Sequence, residues 1–273
     1  MGTTVSLRKV SPALVLAGRA GYAAKGVVYI VIGALAARAA TGPGGRATDS
    51  QGALLEIGEG PFGTVALVLI GVGLLGYMAW RLVAAATDAE GKGDKPTSLA
   101  LRVAQAARGV AYGILGVQAF RMLDGRSGGS GDAAESWSAR LLQLPYGRLL
   151  VGAVGLGVIG YAGYQFYRAA SAEKVRKHLD LGQAGPTQAT WIVRVGQFGI
   201  AARAVIFSIA GIFLIRAALQ SDSSEAAGFA ESLRAVASAE NGTLLFGAVS
   251  VGLIAYGIYQ IATAWYRRMR GVG

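Results

Sequence analysis

The chain contains no cysteine, one histidine (His178) and one asparagine (Asn241). Without cysteine there is no disulfide framework, no thiolate metal site and no covalent haem attachment. One histidine cannot build a His-based metal cluster, and the apolar runs offer no partner set for a His-dependent triad. No metal and no other cofactor is therefore expected. Charge is scarce as well: Asp, Glu, Lys and Arg make up 15% of the 273 residues, against about 25% in an ordinary soluble domain. Hydrophobic residues make up 53%, and the missing charge points to a membrane. The charge that remains leans basic, with 26 Lys and Arg against 15 Asp and Glu. These cations sit between apolar runs and not in a stripe with aromatics, so membrane lipid, not nucleic acid, is the expected partner. The bias toward Ala, Gly and Arg suggests a bacterium with a GC-rich genome.

Acidic residues are missing from one further place. Six apolar segments run over 20–40, 62–86, 103–123, 147–168, 195–219 and 243–266, and none contains Asp or Glu. Proton- and sodium-coupled transporters usually carry an intramembrane carboxylate. There is also no Ser/Lys, Ser/His or paired-Asp set within these segments, so an enzyme is not expected. A spanning helix needs about 20 apolar residues. The even-numbered segments supply them, with 61–80, 149–167 and 241–266 uncharged. The first segment is broken by Arg19 and Lys25 and has no small-residue cleavage site, which predicts a retained helix and not a signal peptide.

What is present is a repeat. Lys25 and Arg38 bracket twelve uncharged residues, as do Arg108 and Arg121, and Arg203 and Arg216. An aromatic follows four residues after each first cation (Tyr29, Tyr112, Phe207), and a glycine eight after it (Gly33, Gly116, Gly211). The even segments share Gly73-x-x-x-Tyr77-x-x-Trp80-Arg81, Gly157-x-x-x-Tyr161-x-x-Tyr164-Gln165 and Gly252-x-x-x-Tyr256-x-x-Tyr259-Gln260. Gly71-Val-Gly73-Leu-Leu-Gly76 and Gly155-Leu-Gly157-Val-Ile-Gly160 match a dinucleotide fingerprint, but they lie inside apolar runs with no preceding strand. They read as surfaces for close helix packing.

Between the two segments of each repeat lie about twenty residues that predict a short amphipathic surface helix, with N-caps at Thr48, Asp132 and Asp222. The connections between repeats are polar and basic. On the side holding both termini there are 18 Lys and Arg and 5 Asp and Glu, and on the other side 8 and 10. The positive-inside rule places both termini in the cytoplasm of a bacterial plasma membrane.

The tripled hairpin, the Ala-Thr-Asp-Ser-Gln-Gly-Ala run at 47–53, the Pro61-Phe62-Gly63 entry and the Gly76-Tyr77-x-x-Trp80-Arg81 exit resemble the bacterial membrane family catalogued as domain of unknown function 1206. The third copy departs most, having lost the proline and the arginine. The resemblance implies paired transmembrane helices occurring three times, and it implies no activity.

The expected fold is an all-α membrane protein forming one membrane domain over 1–273. Six transmembrane helices form three parallel two-helix repeats (14–88, 99–170 and 191–268), each with a surface helix, in a pseudo-threefold ring. Lys25, Arg108 and Arg203 lie at the depth of Tyr77, Tyr161 and Tyr256. They read either as cations snorkelling to the cytoplasmic interface or as a ring, with Gln165 and Gln260, around a central vestibule that takes a small anionic or neutral solute or a lipid headgroup. Arg38, Arg121 and Arg216 lie only about 19.5 Å further along their helices, so they are expected to find helix-end carbonyls or carboxylates, with Asp49, Glu56, Glu59, Asp124, Asp222 and Glu225 as candidates, and to tie each surface helix to its hairpin; the alternative is an outer ring that attracts anions. The competing function is a structural or accessory membrane protein packed in a complex.

Overall fold

The computed structural model describes residues 11–41, 47–88, 93, 96–125, 133–177, 179–182, 184–239 and 242–267. Among them the chain is all α. The helices are α1 (Pro12–Thr41), α2 (Ser50–Gly58), α3 (Gly63–Ala86), α4 (Pro96–Leu123), α5 (Ala133–Leu142), α6 (Gly147–Ala170), α7 (Ala172–Arg176), α8 (Pro186–Gln220), α9 (Phe229–Ala237) and α10 (Gly242–Tyr266). Five of these, α1, α3, α6, α8 and α10, are long and apolar enough to cross a membrane. The expected six spans are thus met by five on length and composition. The remaining long helix is α4, in which Gln105, Arg108 and Gln118 interrupt the apolar run.

The three repeats interlock through glycine. A Cβ added to Gly33 of α1 would lie 2.7 Å from the Ser250 carbonyl oxygen of α10. At Gly116 of α4 it would lie 3.0 Å from the Gly71 carbonyl oxygen of α3, and at Gly211 of α8, 3.1 Å from the Gly155 carbonyl oxygen of α6. The repeated glycine therefore seats each repeat's first helix on the second helix of a neighbouring repeat, in cyclic order. Close backbone approach of this kind is what small residues provide between membrane helices, where apolar burial drives no association.

The cycle is not closed in the same way within each repeat. α1 packs along α3, and α8 along α10, but α4 and α6, the two halves of the second repeat, do not pack along their lengths. The order around the bundle is α4–α3–α1–α10–α8–α6, an arc and not the closed ring expected from three equal hairpins.

The short helices within the repeats, α2, α5 and α9, lie at the bundle end remote from both termini. α2 is capped by Asp49, one residue beyond the expected Thr48, whose carboxylate accepts from the Gln51 and Gly52 N–H groups at 3.0 and 2.9 Å. It buries Ala53 and Leu54 against the spans. α9 buries Leu233 and Val236, and Glu231 accepts the Gly228 N–H at its start. Asp222 caps a separate 3-10 turn at 223–225. Asp132 lies outside the described residues. These helices are therefore packed onto the bundle by their apolar faces as well as presenting polar faces outward.

Two arginines close helix ends elsewhere. Arg102 donates to the Ala85 and Ala86 carbonyls at the end of α3, at 2.6 and 2.9 Å. Arg148 donates to Ala218 and Leu219 at the end of α8, at 3.1 and 2.7 Å. Both satisfy orphan carbonyls at the negative end of a helix dipole. Arg102→Met is expected to destabilise the protein by roughly 1–2 kcal/mol, read as a lowered melting temperature in detergent; an unchanged melt would remove this role from Arg102.

Candidate functional site

Tyrosines from α1, α3, α4, α6 and α10 and Phe207 from α8 meet at the middle of the bundle. Tyr22 stands edge-on to Tyr77 at 5.1 Å, Tyr77 to Tyr112 at 5.4 Å, Tyr29 to Tyr256 at 4.8 Å, and Tyr161 to Phe207 at 5.6 Å. The Tyr29 and Tyr112 hydroxyls lie 3.2 Å apart. Phe229 of α9 reaches in from the remote end, edge-on to Tyr29 and Phe207 at 6.2 and 6.3 Å, and stoppers the cluster there. The aromatic spaced four residues after each repeat cation is thus a wall of the centre.

The three repeat cations all turn inward. Lys25 is 3% exposed and Arg203 5% exposed. Neither snorkels to an interface. The Lys25 ammonium lies 4.6 Å from the Tyr112 ring centroid, 5.5 Å from that of Tyr256 and 5.6 Å from that of Tyr77. Among the described residues it has no hydrogen bond and no carboxylate. Arg203 donates from Nε to the Tyr29 hydroxyl at 2.9 Å and from Nη1 to the Tyr161 hydroxyl at 3.3 Å. It also covers Phe207 and Tyr256 at 4.4 and 5.0 Å. A guanidinium has five N–H groups, so three of those on Arg203 are not taken up by the described side chains. Arg108, half-buried, reaches from α4 across to the Tyr161 ring on α6 at 5.1 Å and has no carboxylate partner there.

A second layer lies one helical turn toward the termini. Arg81 is buried and donates to the Tyr77 and Tyr22 hydroxyls at 3.0 and 2.8 Å. Its counterparts Gln165 and Gln260 are 3% and 5% exposed, and neither amide has a hydrogen-bond partner among the described residues. Arg168 donates to the Tyr259 hydroxyl at 3.0 Å, while its Nε is buried with no partner. Buried polar atoms are normally satisfied, so such a cluster of open donors calls for water or a ligand.

Of the residues read from the sequence, Lys25, Arg203, Arg108, Tyr77, Tyr161 and Tyr256 share one centre, and Gln165 and Gln260 are buried one turn along their helices from Tyr161 and Tyr256. Arg81, Tyr22, Tyr29, Tyr112 and Arg168 belong to it too. Tyr29, Tyr112 and Arg81 lie in the repeat motifs and carried a signal. Arg168 and Tyr22 carried none, because no repeat equivalent marks them.

The distal cations behave differently. Arg216 pairs with Glu225 at 3.7 Å, with side chains 53% and 33% exposed, so one repeat shows the expected link to its connecting segment. Arg38 and Arg121 are exposed and have no carboxylate partner among the described residues. Their helices end within three residues, which lets the guanidiniums leave the bundle. The Asp49 carboxylate, a candidate for Arg38, is occupied by the two backbone N–H groups that start α2.

Comparison with known proteins agrees with this tripled architecture. The chain is 36% identical over 252 residues to the uncharacterised protein YxxB of Bacillus subtilis (strain 168), covering 92% of this chain and 90% of that one. No solved structure matches. Residues 20–88, 103–172 and 198–267 each match one family, so this polytopic membrane protein belongs to the family described as Domain of Unknown Function (DUF1206).

Proposed function

We propose that the protein binds an anionic group, the phosphate or carboxylate of a small solute or a lipid headgroup, at the cation–tyrosine centre, and that it is not an enzyme. The observation that carries this reading is the burial of Lys25 and Arg203 beside Arg108 with no carboxylate among the described residues to balance them. A buried charge without a partner costs several kcal/mol. The phenols supply hydrogen-bond acceptors and ring faces but no formal negative charge. A bound anion would supply it and would take up the open N–H groups of Arg203, Gln165 and Gln260.

The reading takes α4 as a sixth span. α4 occupies the same place in its repeat as α1 and α8, and it meets α3 through Gly71 and Gly116 as they meet their neighbours. The excess of Lys and Arg on the side of the termini, 18 against 8, supports termini in the cytoplasm of a bacterial plasma membrane. The centre then lies within the membrane, closed at the far side by Phe229.

The test is a thermal melt in detergent with neutral lipid. Inorganic phosphate, acetate and phosphatidylglycerol would each be compared with potassium chloride at matched ionic strength. A ligand at a hundred times its dissociation constant stabilises by about 2.7 kcal/mol, so at least one of the three is expected to raise the melting temperature of the native chain. That rise should disappear in an Arg203→Met, Arg108→Met double variant. If none of the three shifts the melt beyond chloride, the anion reading fails. The alternative, an accessory protein that packs helices in a complex, is favoured by the glycine interfaces and predicts that outcome.

A further inference from the structure

We propose that the anion reaches the centre sideways from the bilayer, through a seam between α4 and α6, and that it is the headgroup of an anionic phospholipid whose acyl chains fill that seam. The inference rests on the anion-binding reading above and adds the route and the ligand class.

The seam is a specific failure of the repeat. In the first repeat, Gly18 and Gly21 of α1 lie seven and four residues before Lys25 and receive α3. A Cβ at Gly18 would sit 2.9 Å from Trp80, and one at Gly21 2.6 Å from the Gly73 carbonyl oxygen. In the third repeat, Gly196 and Gly199 hold the same places before Arg203 and receive Tyr259 and Tyr256 of α10. In the second repeat, the same places before Arg108 are Leu101 and Ala104. Both are exposed, and so is their would-be partner Tyr164 on α6, at 55%. Gly157, the counterpart of Gly73 and Gly252, has nothing among the described residues within 4 Å of an added Cβ, whereas Gly73 meets Ala24 and Gly252 meets Ala202. The hairpin that closes tightly in the other two repeats is therefore open here along its membrane length.

The seam leads to cations. Arg108 lies in it, about 18 Å along α4 from Pro96, with its guanidinium over Tyr161 on the opposite wall. Behind it Lys25, 3% exposed and with no hydrogen bond among the described residues, has its ammonium nearest the Tyr112 ring, which α4 contributes. The outer flanks are apolar, with Val110 and Ile114 on α4 and Leu150 and Val154 on α6 exposed. A partner helix or a second copy could fill such a gap, but its apolar side chains would leave Lys25 and Arg108 unbalanced. A free anion would balance them and leave the gap open. An anionic phospholipid does both: the chains fill the apolar seam and the phosphate meets the cations.

The experiment uses the full chain in detergent, with lipid binding read by native mass spectrometry and by thermal shift. Phosphatidylglycerol, phosphatidylcholine and inorganic phosphate are the probes. Phosphatidylglycerol is expected to bind at least about tenfold more tightly than phosphatidylcholine. Gly157→Phe and, independently, Ala104→Phe place a ring in open space in the seam. Each is expected to weaken phosphatidylglycerol binding by about tenfold or more while leaving stabilisation by phosphate unchanged. If phosphatidylglycerol binding is the same in both variants as in the native chain, or the two lipids bind alike while phosphate still stabilises, the lateral route is wrong and the anion centre stands. If no anionic probe binds at all, both readings fall. A native dimer that Gly157→Phe dissociates, with no lipid retained, would instead assign the seam to a second copy of the chain.

Discussion

Replacing Lys25 by methionine is expected to make the empty protein more stable and to remove its affinity for anions. Three effects bear on the lysine. Its ammonium is out of water in the middle of a membrane bundle, which costs about 2–4 kcal/mol. Arg203, Arg108, Arg81 and Arg168 all stand close enough to repel it. Against these, three ring faces at 4.6 to 5.6 Å attract it, each by about 0.5–2 kcal/mol. The rings repay part of the burial, and the neighbouring guanidiniums draw on the same ring faces. Burial plus repulsion wins, and methionine keeps most of the packing volume without the charge. A stabilisation of about 1–3 kcal/mol follows, which for a chain of this size is a rise of several degrees in the melting temperature. Arg203→Met should move the other way. It strips the Tyr161 hydroxyl of its donor and leaves the Tyr29 hydroxyl only that of Tyr112, and an orphaned polar group costs roughly 1–3 kcal/mol. Both variants should lose anion stabilisation. A Lys25→Met protein that melts lower than the native chain, and still gains stability from anions, would show that the lysine is structural. A functional charge kept at a cost in stability is the pattern expected of a binding site.

Much of this was visible in the residue order, and the part that was not has a physical reason. The bracket of Lys25 and Arg38 and its two copies located the three first helices of the repeats. The aromatics four residues on, and the tyrosines of the second helices, proved to be the walls of one centre. Spacing could not say whether Lys25 turned to the interface or to the axis, because a helical side chain leans toward the helix start in either case. That choice is made by rotation about the helix axis, and here glycines facing carbonyls set the rotation. Gly26 against the Gly257 carbonyl and Gly33 against that of Ser250 turn Lys25 inward. The equal treatment of three hairpins failed for a reason also present in the sequence. The deciding residues lie before the repeat cation and not after it: Gly18 and Gly21, Gly196 and Gly199, but Leu101 and Ala104. Among the described residues Arg38 and Arg121 meet no carboxylate, and the Asp49 carboxylate, near Arg38 in sequence, caps the backbone that starts α2.

The glycines supply a second large effect, one whose size changes by position along the same helix type. A Cβ added at Gly257 of α10 would lie 2.5 Å from the Gly26 carbonyl oxygen and 2.6 Å from Cγ1 of Ile30. The first is backbone and cannot turn aside, so α1 and α10 must part. These two helices form the most extensive contact in the bundle, and their packing positions Lys25 and Tyr256. Gly257→Ala is expected to cost about 2–4 kcal/mol, by loss of close-packed contacts and strain at backbone that cannot relax. Gly157 of α6 sits in the corresponding kind of apolar helix, yet an added Cβ there meets nothing among the described residues within 4 Å. Alanine at that site removes glycine's excess backbone freedom in the unfolded chain and should stabilise by about 0.5–1 kcal/mol. The pair of variants is a direct test of the arc. If α4 and α6 closed on one another as the other hairpins do, Gly157→Ala would damage the protein much as Gly73→Ala, whose Cβ would meet Ala24 at 2.8 Å, is expected to do. Melting temperatures of the three alanine variants in one detergent decide it. A Gly157→Ala melt that falls with the other two would mean the second repeat is closed and the seam does not exist. A melt that rises while the other two fall places the loose pair α4 and α6 next to the cations of the centre.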